Sequence, residues 1–218
     1  MSIKIYKGQT KDMSKGLFIS FEGPDGSGKT TQIKLLSEYL EAKGTECVLT
    51  REPGGTRVSE EIRGILLDRA NAGMSYTAEA LLYAAARAQL VAEVIKPALN
   101  EGKAVLCDRF VDSSAVYQGM ARGLGVEEIY TLNEFALDGI RPELTIHLDL
   151  SAEEGLRRKT KQAELDRMES EPDSFHRLVA EGYRELAKLE PERIKTIDAS
   201  LPVDEIQEMI RGFVDGLR

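Results

Sequence analysis

The apolar run Leu17-Phe18-Ile19-Ser20-Phe21-Glu22 ends in Gly23-Pro24-Asp25-Gly26-Ser27-Gly28-Lys29-Thr30-Thr31, and a helical pattern opens at Gln32. Gly23, Gly28, Lys29 and Thr30 fit G-x-x-x-x-G-K-[ST], the phosphate-binding loop. Glycines at these positions let successive backbone N–H groups converge on phosphate oxygens, and the helix that follows adds the partial positive charge of its N-terminus. Residues 23–31 are therefore expected to hold a nucleoside triphosphate, with Lys29 on the β/γ-phosphates and the Thr30 hydroxyl on Mg²⁺. A buried strand feeding a glycine turn and then a helix is half of a βαβ unit, so a parallel sheet is expected.

The rest of the chain keeps that rhythm. The first helix runs to about Lys43 and stops at Gly44, and Glu46–Thr50 is a second buried strand. The turn Arg51-Glu52-Pro53-Gly54-Gly55-Thr56 follows at a strand's carboxyl end, where open α/β sheets place ligands. Val58–Arg69 and the alanine-rich stretch Thr77–Leu99 have helical spacing. Ala104–Asp108 is a strand ending in a carboxylate, the pattern of an aspartate on the Mg²⁺ side of a phosphate-loop site. Arg109 follows it directly, and its planar fork suits bridging two phosphates. Glu127–Leu137 is a helix, Leu144–Leu150 a strand, Ser174–Lys188 a helix, Ile194–Asp198 a strand, and a last helix begins near Pro202. The reading is a three-layer α/β/α sandwich around a five-stranded parallel sheet.

With 218 residues and 42% hydrophobic content the chain can bury a sizeable core, and no linker or repeat divides it. Residues 16–218 are expected to form one domain. Met1–Lys15 is polar and aperiodic, an extension or leader with Met13 as a second possible start; the alternative is an edge strand at Ile3–Tyr6. The net charge of −8 argues against a general nucleic-acid binder. No apolar run approaches the roughly 20 residues of a membrane span. Cys47 and Cys107 lack metal-ligand spacing and fit buried reduced thiols of a cytoplasmic protein. His147 fits a packed or pocket-edge position within its strand, and His176 a surface position.

The turn Arg51–Thr56 after a phosphate-binding loop resembles bacterial thymidylate kinase. Cys107-Asp108-Arg109-Phe110, Ser113-Ser114-Ala115-Val116-Tyr117-Gln118-Gly119 and Glu164-Leu165-Asp166-Arg167 extend the resemblance in the same order, from about Gly16 onward. It implies a P-loop kinase fold and transfer of the γ-phosphoryl group of ATP to dTMP with Mg²⁺ held by Thr30 and Asp108. It implies that Asp25 meets the sugar 3′-hydroxyl and that Arg63 grips the monophosphate. Tyr83 would stack on thymine and Arg87 hydrogen-bond its carbonyl. Glu52, Arg109, Ser113, Ser114, Tyr117 and Gln118 would complete the monophosphate site. The resemblance further implies a homodimer through the helices at 58–69 and 77–99.

Glu153–Glu171 is dense in charge, which suits a solvated helix face or equally a lid over ATP, around 158–172. Some relatives carry an arginine inside the phosphate loop; this one has none. Relatives of that kind place alternating arginines just before Glu-Leu-Asp-Arg, where Thr160 and Gln162 stand here. Arg158, Lys159, Lys161 and Arg167 remain as cations. An arginine's fork is the better partner for the transferring phosphoryl group, and Arg158 is favoured over Arg167. The catalytic set expected is thus Lys29, Asp108, Arg109 and Arg158. Two rivals stay open: a phosphate-loop kinase for another acceptor, and a non-enzymatic nucleotide switch, for which no Asn-Lys-x-Asp string is present.

Overall fold

A computed structural model of the chain describes residues 16–159 and 165–217. The possible edge strand at Ile3–Tyr6, and Thr160, Lys161 and Gln162 of the expected lid, lie outside the described residues. Five strands, β1 (Leu17–Glu22), β2 (Cys47–Arg51), β3 (Ala104–Asp108), β4 (Leu144–Asp149) and β5 (Ile194–Asp198), form one sheet in the order β2-β3-β1-β4-β5. Every pair is parallel, as helical crossovers between successive strands require. The central strands are covered on both faces and so are almost wholly apolar, from Phe18–Phe21 to Ala104–Cys107.

Helices α1 (Lys29–Ala42) and α9 (Val203–Asp215) cover one face: Ile33, Leu36, Leu40, Ile206 and Ile210 pack on Ile19, Phe21, Leu106 and Ile146. The other face carries α3 (Tyr76–Leu90), which packs on α2 (Arg57–Leu67) and on α6 (Val126–Leu137). Leu90, Ile95, Leu99 and Leu137 there bury Phe18, Val105 and Cys107. A third cluster joins α8 (Asp173–Leu189) to the helical stretch that begins as α5 (Val111–Ser114), through Val116, Phe175, Val179 and Tyr183. The three layers are those read from the sequence.

Most boundaries fall within one or two residues of expectation, and two departures bear on the site. The alanine-rich helix is not continuous: α3 passes through a wider π-turn, Val91–Ile95, into α4 (Lys96–Asn100). Pro97 explains the break, because it has no N–H to give and its ring would collide with the Glu93 carbonyl in a regular helix. The second strand begins and ends one residue later than expected, so that Arg51 pairs with Asp108 in the ladder instead of opening the turn. Glu22, Arg51, Asp108 and Asp149 thereby stand along one rim of the sheet, at the switch in strand order around β1.

Candidate active site

The phosphate loop occupies that rim between β1 and α1. Gly28 takes φ 92° just before α1, a conformation nearly closed to other residues. Lys29 is buried and its Nζ donates to the carbonyls of Gly23 (3.1 Å) and Pro24 (3.0 Å). Burial, then the nearby Arg109 guanidinium, pulls its pKa down to about 8. The Thr30 hydroxyl donates to Asp108 Oδ2 at 3.1 Å, so the two expected Mg²⁺ ligands from β3 and α1 meet. These are hard oxygen donors, the kind that suits Mg²⁺, which keeps water and phosphate oxygens and needs few protein ligands.

Arg109 is held in a left-handed conformation, φ 69°, with its N–H on the Phe21 carbonyl. A non-glycine residue there stores strain, which persists where surrounding contacts over-determine it. Its Nη2 reaches Asp25 Oδ1 in the phosphate loop at 2.7 Å, its Nη1 the Tyr183 hydroxyl at 3.1 Å, and its guanidinium lies 5.4 Å from the Tyr117 ring centre. Beneath it sits Glu22, fully buried, accepting from the Phe110 N–H (2.7 Å), the Ser113 hydroxyl (2.5 Å) and the Tyr183 hydroxyl (3.1 Å). Burial, reinforced by the Asp112 carboxylate, pushes the Glu22 pKa up to about 7. His147, opposite Glu22 in the ladder, is fully buried and stacks on Tyr183, so it is a packed histidine.

A cavity of about 250 Å³ opens beside Arg109. All ten residues assigned by resemblance to the monophosphate line it: Asp25, Glu52, Arg63, Tyr83, Arg87, Arg109, Ser113, Ser114, Tyr117 and Gln118. Arg63 is half-buried, with Nη1 on the Pro53 carbonyl at 2.8 Å. Arg87 is almost wholly enclosed. Its Nε and Nη2 donate to Glu52 at 2.9 and 2.5 Å, Nη2 also to Ser114 at 3.0 Å, and Nη1 to Asn133. Both Glu52 oxygens are thus taken by Arg87. Burial pushes the Glu52 pKa up to about 7 against the pull of that guanidinium.

Other lining residues carried no signal in the sequence. Met168, Glu169 and His176 face the cavity, with Asp166 from the Glu-Leu-Asp-Arg string. His176 corrects the surface expectation: it is half-buried, because its neighbour Phe175 anchors the first turn of α8 in the third core cluster. Tyr183, Glu22, Asp112 and Glu79 were also missed.

The charge-dense stretch in which a lid was expected opens with α7 (Ala152–Lys159). Gly155 packs directly on the phosphate loop: a Cβ added there would lie 2.6 Å from the Asp25 carbonyl oxygen. Arg158 is one turn further along, its Cβ 3.3 Å from where a Cβ on Gly26 would stand. Its Nε donates to Glu154 at 3.0 Å and its Nη1 to the Ala199 carbonyl at 3.2 Å. Arg167, by contrast, is buried, with Nη1 on Glu79 at 2.6 Å and Nε on the Leu66 carbonyl at 2.6 Å.

A phosphate loop and Thr–Asp pair on one side of Arg109, with an open cavity on the other, define a P-loop kinase that phosphorylates a small acceptor. A family model described as thymidylate kinase matches residues 21–210. The chain is 56% identical over 199 residues to a thymidylate kinase of Symbiobacterium thermophilum, covering 91% of this chain and 92% of that one. It is 49% identical to one of Clostridium novyi, covering 93% and 100%. The crystal structure of thymidylate kinase from Ehrlichia chaffeensis superposes with a TM-score of 0.73 at 33% identity, over 92% of this chain and 98% of that one. The chain belongs to the thymidylate kinase family and is a phosphotransferase.

Proposed function

We infer that this enzyme transfers the γ-phosphoryl group of ATP to dTMP, giving dTDP and ADP, and that the residues named above divide the work. The observation that carries the reading is Arg109, which touches the phosphate loop through Asp25 at 2.7 Å while lining the monophosphate cavity. A cation at that junction faces both phosphate groups at once. The acceptor oxygen is already anionic, so no base has to remove a proton from it; the obstacle is repulsion between two polyanions. Lys29 fixes the β- and γ-phosphates, Arg109 and Arg63 hold the acceptor phosphate, and Arg158 supplies charge from the lid as the bond to the ADP oxygen breaks and the new P–O bond forms. Mg²⁺, held by Thr30 and Asp108, neutralises oxygens of the triphosphate when bound.

Tyr83 offers a ring face to the base and Arg87 a donor to its O4, with Glu52 keeping Arg87 in place. Asp25 meets the sugar. Residues 16–218 act as one domain with a lid around 158–172, working as a homodimer. Free Cys47 and Cys107 suit the cytoplasm, and no described helix is long and apolar enough to cross a membrane. A coupled ADP-release assay across the nucleoside monophosphates tests the activity. dTMP should be the best acceptor, dUMP poorer because it lacks the methyl group, and dCMP rejected because its amine meets the Arg87 donor. Comparable efficiency on dCMP would overturn the pocket assignment.

A further inference from the structure

Glu79, on the first turns of α3, is fully enclosed and does not line the cavity. Its Oε1 accepts from Gln118 Nε2 at 3.0 Å and from Arg122 Nε at 3.2 Å. Its Oε2 accepts from Arg122 Nη2 at 3.2 Å and Arg167 Nη1 at 2.6 Å. Burial opposes its charge, but the Gln118 hydrogen bond and the two guanidinium groups outweigh burial and hold its carboxyl below the usual range.

An ionised carboxylate can only accept hydrogen bonds, whereas a glutamine amide can present either face. Gln118 is 1% exposed and lies between Glu79 and the cavity it lines. With its NH₂ claimed by Glu79, its carbonyl oxygen is the atom left for the ligand. We propose that Glu79 is a positioning residue for base specificity: it fixes the polarity of the Gln118 amide, so that the cavity presents an acceptor matched to a pyrimidine carrying N3–H. Arg87 already offers a donor for O4, held in place by Glu52. The two readers together demand a carbonyl beside an N–H. Cytosine reverses both positions, an amine beside an unprotonated nitrogen. Each reader is oriented by its own buried carboxylate, and the one behind Gln118 also anchors Arg167.

The inference rests on the dTMP kinase reading, and the test separates the two. The measured quantity is the ratio of kcat/KM for dTMP over N3-methyl-dTMP, in which the N3–H is replaced by a methyl group and both ring carbonyls are kept. In the wild type the lost hydrogen bond and the methyl contact together should make this ratio at least about tenfold. In Glu79→Gln the Gln118 amide is free to turn, and the ratio should fall at least about threefold through the KM for the nucleotide, with the KM for ATP unchanged. Arg122→Gln, which removes a partner but leaves the carboxylate, should keep the wild-type ratio. An unchanged ratio in Glu79→Gln, or an equal loss in both variants, overturns the proposal. Failure of the wild type to phosphorylate dTMP would instead sink the activity itself. If Glu79→Gln does not fold, ¹⁵N-labelled wild-type protein decides: the Gln118 side-chain NH₂, assigned with Gln118→Met, should exchange slowly with solvent before any ligand is added, and fast exchange overturns the proposal.

Discussion

Lys29 shows how one buried side chain ties pH to function. In the free enzyme its pKa is drawn down to about 8 by burial and by Arg109. A bound triphosphate favours the charged form, so binding and protonation are linked. ATP affinity should therefore be full below pH 8 and fall as pH rises through that value. Calorimetry in two buffers of different ionisation enthalpy should show proton uptake on ATP binding near pH 8 and none near pH 6. Lys29→Ala should remove that uptake and abolish transfer; near wild-type turnover in this variant would sink the ATP-site assignment. Lys29 was legible in the sequence because loop, lysine and threonine are contiguous, and the chemistry needs them so. Glu22 was not, since its partners Phe110 and Tyr183 lie 88 and 161 residues away. Asp112 reads as an ordinary surface carboxylate until Arg193, 81 residues on, is seen to pair with it. Such groups look polar and unremarked in sequence, and only the fold reveals that they are buried and satisfied.

Among the elements, β1 and β3 were legible as short apolar runs, because both their faces are covered, and the helices by their period, less so where a single residue perturbs geometry, as Pro97 does. Helix α7 is an element whose packing on the phosphate loop rests on a missing side chain. Gly155 and Arg158 are three apart and so share a face, and that face meets the phosphate loop at Asp25 and Gly26. Arg158→Ala should lower kcat by about 10³, at the modest end for a transition-state arginine, with little change in ATP binding. Gly155→Ala should lower kcat as well while Arg158 is still present, because its methyl group would have to displace α7 from the Asp25 carbonyl. Arg167→Gln should behave differently: it breaks a buried pair with Glu79, costing about 3–5 kcal/mol of stability, seen as a lower Tm with kcat little changed. If Arg158→Ala keeps kcat within a few-fold in single-turnover measurements, the lid supplies no catalytic charge and Arg109 acts alone.

For the whole molecule, the surface of α2, α3 and α6 is the feature its own fold leaves unexplained. Ile65 is 48% exposed, Leu81 53% and Phe135 96%, on three helices that pack side by side. Single exposed apolar residues are ordinary, but three on adjoining helices suit contact with a second copy. A net charge of −8 on each chain opposes association, so the contact must be apolar enough to overcome it and should tighten as salt screens the repulsion. Helix α3 links this face to the site, since Leu81 points outward while Glu79 and Arg87 on the same helix are buried. Light scattering at tens of micromolar should give twice the monomer mass, and Leu81→Arg should halve it without unfolding the chain, because the side chain it replaces is exposed. That variant should also raise the KM for dTMP more than the KM for ATP, as α3 carries Tyr83 and Arg87, which line the acceptor cavity, and the phosphate loop lies between β1 and α1. A wild-type monomer at that concentration, at both low and high salt, would show that this face binds no second copy and that α3 is held in register by its own chain alone.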